Sequence, residues 1–85
     1  MNTARAWQAY ADTIEIALAH PRDVVAAEQA GRAWQIAEAA HAQSLRPESA
    51  ERAYAAQERL IGSTDAVAIV DSIRAVARAH AEAGE

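Results

Sequence analysis

The chain predicts an all-α fold, either a four-helix bundle or two stacked antiparallel helical hairpins. Three observations carry this. Alanine, the strongest helix former, makes up 25 of the 85 residues. The three Gly and two Pro residues are few, and Pro21, Pro47 and Gly62 cut the chain into four stretches. Within each stretch the large apolar residues recur at spacings of three and four, the period of a helix face rather than of a strand. The length is that of one domain, residues 1–85.

The first helix is expected from about Thr3 to Ala19, with the stripe Thr3, Trp7, Tyr10/Ala11, Ile14 and Leu18. Pro21 cannot continue that helix but suits the first turn of the next, with Asp23 near its positive end. The second helix then runs to about Ser44 with the stripe Ala27, Ala30, Trp34, Ala37, His41 and Leu45. Gly31 lies inside it, and either bends it or lets another backbone come close. Pro47 and Glu48 open the third helix, whose stripe is Ala50, Ala53/Tyr54, Gln57 and Leu60/Ile61, and Gly62 fits its C-terminal cap. Ser63 or Thr64 is the expected N-cap of the fourth, with Asp65 in its first turn. Its stripe is the clearest: Ala66, Ile69/Val70, Ile73, Val76/Ala77 and His80. The tail from Ala81 to Glu85 is expected to fray.

The tetrapeptide Arg-Ala-Trp-Gln occurs twice, at 5–8 and 32–35, and contains both tryptophans. Trp7, Ile14 and Leu18 repeat the spacing of Trp34, His41 and Leu45. The reading is a repeated packing pattern in which a Trp anchors one end of each stripe. The competing reading is a pair of exposed Trp residues at a binding surface, where Trp and Arg are enriched.

The net charge of −4 disfavours nucleic acid, whose phosphates call for clustered cations, and an anionic membrane surface. No apolar run has the length of a membrane span, and the N-terminus lacks the basic and apolar regions of a secretory signal. A cytoplasmic protein is expected. With no Cys there is no disulfide or thiolate chemistry. All eight cations are Arg, which together with the alanine content suggests a GC-rich bacterial or phage genome.

Four features are candidates for chemistry. Glu38-Ala39-Ala40-His41 has the Glu-x-x-His spacing that di-iron helical bundles use twice, with Glu15 and Glu51 or Glu58 as further carboxylates. The second copy is missing, since Ala77 stands three residues before His80. A metal-binding protein using Glu38 and His41 is therefore the alternative, and no cofactor or metal is expected in the main reading. Asp71-Ser72 resembles the signature on which carrier proteins hold a phosphopantetheine arm, but it lies in the last helix with little chain to follow. His20, His41 and His80 fall on different helices or their ends and make no visible catalytic set. His41, Gln57 and His80 interrupt apolar stripes, so each needs a hydrogen-bond partner inside the bundle or across an interface. His80 is the one placed at an interface, being near the end of the chain.

The expectation is a small non-enzymatic protein–protein interaction module. It self-associates as a homodimer and binds a protein partner through a helical face. An acidic inhibitor or regulator of a basic partner is the subtype suggested. The expected interaction residues are Trp7, Trp34, Ile16, Ile36, Val67 and His80. Ile16, Val25, Ile36 and Val67 lie off the main stripes and call for cover.

Overall fold

The computed structural model describes residues 2–85. It is all-helical. Helix α1 spans Thr3–Ala19, α2 Val24–Gln43, α3 Glu48–Glu58 and α4 Ala66–Glu82. Three of the four N-termini are closed by a side chain that accepts from an otherwise unpaired backbone N–H. Asn2 accepts from Arg5 N, Asp23 from Ala26 N and Asp65 from Ala68 N. The helix starts of α2 and α4 thus fall later than Pro21 and Ser63. An aspartate in each link binds the emerging amides, so Pro21 stays in the turn and Asp65 is itself the cap. Pro47 precedes α3, and Gly62 takes a positive φ of 88° in the turn beyond it.

Short links make α1 and α2 antiparallel, and likewise α3 and α4. Helix α1 packs against α2 and α4, and α3 packs against α4. Around the bundle the order is therefore α2, α1, α4, α3, with no close backbone packing between α2 and α3. The Ala4 amide donates to the Glu85 carbonyl at 3.1 Å, so α1 and α4 are antiparallel too. One pole carries the α1–α2 and α3–α4 turns. The other carries the α2–α3 link and both ends of the described chain.

The core joins Trp7, Tyr10 and Ala11 of α1 to Ala37 of α2 and Ile73, Val76 and Ala77 of α4. Trp7, Ile73, Val76 and His80 are the largest fully buried side chains. Trp7 meets Tyr10, Tyr54 and His41 edge-on at 6.0, 5.7 and 6.1 Å between ring centroids, a favoured aromatic geometry. Helix α4 buries the expected stripe from Val70 to His80, with Ala66 exposed. Helix α2 buries part of its stripe, Ala30, Ala37 and His41, together with Ala26 and Ala40, leaving Trp34 at 43% and Leu45 at 94% exposure.

The tail does not fray. Helix α4 continues to Glu82, and Glu85 is tied to three separate segments. The i, i+4 neighbours Glu28–Arg32 and Glu48–Arg52 form no ion pair among the described residues. The pairs formed instead cross between elements: Arg74 with Asp12 and Glu15, and Arg46 with Glu51.

Candidate functional site

Two features stand apart from ordinary packing, one at each side of the gap between α2 and α3. The first is polar and buried. His41 Nδ1 lies 2.9 Å from His80 Nε2. His80 Nδ1 lies 2.6 Å from Glu85 Oε1, and the other Glu85 oxygen accepts from Leu45 N at 3.0 Å. The far nitrogen of His41, Nε2, faces Glu51 Oε1 at 3.8 Å. The Tyr54 ring stacks on His41 at 4.1 Å, and its hydroxyl donates to Glu38.

With Glu85 ionised, His80 Nδ1–H donates to it, and between the two rings one nitrogen donates while the other accepts. A proton added to both rings at once would set N–H against N–H. Burial, and then the neighbouring His80, hold the His41 pKa below the usual imidazole value; Glu51 and Glu38 oppose this. The hydrogen bonds from His80 and from the Leu45 amide hold Glu85 below the usual carboxylate range. Burial, followed by the bond to Glu38, pushes the Tyr54 hydroxyl strongly upward. The arrangement ties α2, α4, the α2–α3 link and residue 85 together at one pole.

This geometry bears on the metal alternative. Glu38 is engaged by Tyr54, and His41 Nδ1 by His80. Among the described residues no group of three or more His, Asp or Glu side chains is placed to hold a metal ion. Ser72, the carrier-like position, gives its hydroxyl to Ile69 O at 2.7 Å. His20 is the C-cap of α1, its amide donating to Ile16 and Ala17 carbonyls.

The second feature is an apolar groove of about 560 Å³ where α2 and α3 part. Tyr10, Ile14 and Leu18 of α1 and Ile69 of α4 line it, with Trp34 and Gly31 on the α2 wall and Gln57 and Ile61 on the α3 side. No Asp, Glu, Lys, Arg or His lines it. Gln57 is 94% buried, from its 6% exposure, and its Oε1 has no donor within the chain. Gly31 sits in the middle of α2 although a Cβ there would meet nothing within 4 Å.

Of the six expected interaction residues, two are corrected. Trp7 and His80 are fully buried, Trp7 by the aromatic cluster and His80 by its place between His41 and Glu85, so neither offers a surface. Trp34, Ile16, Ile36 and Val67 are exposed at 43, 55, 47 and 72%. Only Trp34 lines the groove. Ile36 borders a separate, more polar cleft beside Glu85, and Val67 borders one with Leu18 near the opposite pole. The two Arg-Ala-Trp-Gln copies therefore differ: the first Trp is core and the second is groove wall.

Sequence reasoning missed Glu85, which no helical spacing could connect to Leu45 forty positions away. It also missed the Tyr54–Glu38 bond, which depends on the side-chain approach of α3 to α2. Compared with protein-family models, curated proteins and solved structures, the chain matches none.

Proposed function

We propose that this protein is a small non-enzymatic interaction module that takes the apolar surface of a protein into the groove between α2 and α3. The carrying observation is the groove itself, whose lining has no ionic side chain and contains one buried acceptor without a donor. An apolar cleft with a few convergent polar groups is the usual form of a binding site. A groove between two splayed helices suits the apolar face of a helix. Nine large apolar side chains are exposed, among them Leu18, Trp34 and Ile61 along the groove. Contiguous apolar surface of this kind marks interaction sites. The net charge of −4 favours a partner with a basic rim around its apolar face.

The test is binding of an anilinonaphthalene sulfonate dye in dilute solution, where single chains dominate. Near-ultraviolet circular dichroism serves as the control for fixed packing. The expected result is dye fluorescence that is lost in Gly31→Leu, whose side chain grows into the open groove. A well-packed protein that binds no dye, or binds it equally in Gly31→Leu, contradicts this reading.

A further inference from the structure

We propose that the His41–His80 contact is an acid-operated latch. It holds the last turn of α2 and the α2–α3 link onto α4 and residue 85, and it lets go when both rings carry charge. The inference does not depend on the groove.

The groups stand in a row, and the row sets how many protons it can hold. Glu51 Oε1 lies 3.8 Å from His41 Nε2, His41 Nδ1 lies 2.9 Å from His80 Nε2, and His80 Nδ1 lies 2.6 Å from Glu85 Oε1. Four ring nitrogens thus stand between two carboxylates. With one proton beyond the neutral pair, one N–H points at each carboxylate and one bridges the rings. Every nitrogen then has a partner. A second added proton puts an N–H on both sides of the 2.9 Å contact. Two cations then repel at a buried site, where little solvent screens them.

The surrounding charges do not rescue that doubly charged state. Helix α2 brings Glu38, which is engaged by the Tyr54 hydroxyl. Helix α3 brings Glu51 and the Tyr54 ring, and the link brings Arg46, which shares Glu51 at 3.5 Å. Beyond α4 stands Glu85, and α1 presents only the uncharged edge of Trp7. Burial and the neighbouring His80 outweigh the pull of Glu51 and Glu38 on a proton at His41.

The side that moves is the α2 side. His80 is fully buried and its charged form is held by Glu85. His41 is two residues from the end of α2, and the link beyond it is thinly held. Leu45 is 94% exposed, and its amide is tied by the Glu85 carboxylate at 3.0 Å. Arg46 has a φ of 48°, uncommon for a residue other than glycine. Helices α2 and α3 have no close backbone packing to keep the link in place. When His41 leaves His80, the Leu45–Glu85 bond parts with it. The Ala4 amide, which donates to the Glu85 carbonyl, stays on the α4 side.

The experiment is amide exchange of the full chain by ¹H–¹⁵N spectroscopy from pH 7.5 to pH 5, each rate divided by that of an unstructured amide. The open form takes up one more proton than the closed form. Protection of Leu45 should therefore fall about tenfold for each pH unit below about pH 6.5. Ala4 should keep the higher protection throughout. His41→Gln, neutral at every pH, should hold Leu45 protection constant over the same range. Glu85→Ala, a change outside the core, should leave Leu45 unprotected already at pH 7.5. Leu45 protection that is constant with pH in the unaltered chain overturns the proposal. So does a fall that is equal in His41→Gln, or one that Ala4 shares step for step, which is opening of the whole bundle. Should His41→Gln fail to fold, the comparison of Leu45 with Ala4 still decides, and protection of Leu45 unaffected by Glu85→Ala also overturns the latch.

Discussion

His41 is placed so that its two nitrogens meet different neighbours. Nδ1 faces a second buried imidazole and Nε2 faces the Glu51 carboxylate. Because burial and His80 depress its pKa, the folded protein prefers His41 neutral. The unfolded chain takes up that proton at about pH 6.5, so stability is full above that pH and falls as the pH drops below it. Glu85 adds to the same trend at lower pH. Its folded pKa is depressed, so its contribution is present above the unfolded carboxylate value and is lost as pH falls through the folded one. Denaturant melts between pH 8 and pH 4 should therefore show a plateau above neutrality and a decline beginning near pH 6.5. A profile flat to pH 5 would contradict a buried neutral His41. Replacing His41 by Ala opens a cavity under Tyr54 and strands His80 Nε2. A loss of about 2–4 kcal/mol is expected in a denaturation experiment.

Helix α2 is the element in which reading the sequence and the structure part company. Its apolar spacing through Trp34 and Leu45 suggests a buried stripe, yet only Ala30, Ala37 and His41 of that stripe are buried, joined by Ala26 and Ala40. Alanine gives little contrast between faces, so the large residues set the apparent phase, and these turn out to be reserved for the groove and the surface. Helix α4, with Ile73 and Val76 at full burial, has strong contrast and was legible from spacing alone. The start of α1 at Thr3 and a turn at Gly62 were legible too, whereas α2 was expected to open at Pro21 and α3 to reach Gly62, and they instead begin after Asp23 and end at Glu58. Gly31→Ala should raise the melting temperature of the dilute monomer by several degrees, since the helix gains about 1 kcal/mol and the added methyl meets nothing. Asp65→Ala should lower stability by about 1 kcal/mol through loss of the bond to the Ala68 amide.

At the scale of the whole molecule, the bundle has unlike poles and one open side. Near the chain ends the buried pair, Glu85 and the α2–α3 link form a polar clasp. Toward the opposite pole the surface is rich in apolar side chains, including Leu18, Ile61 and Val67. Four helices in antiparallel order were legible from where Pro and Gly fall. The open side was not, because the separation of α2 from α3 depends on how each packs on α1 and α4. Half of the large apolar side chains, Met1 aside, are exposed rather than used in the core. A small domain that spends its apolar residues this way is expected to gain stability from association.

The central claim is that the α2–α3 groove is the docking face, and the two tryptophans provide its most direct test. Their indole N–H signals can be followed in ¹H–¹⁵N spectra of the untagged protein as the dye is titrated in, with Trp34→Phe assigning them. The Trp34 signal should shift and become protected from solvent exchange while the fully buried Trp7 signal stays in place. A Trp34 signal that remains unchanged and exchanging, while signals from another face move on dye binding, would contradict it.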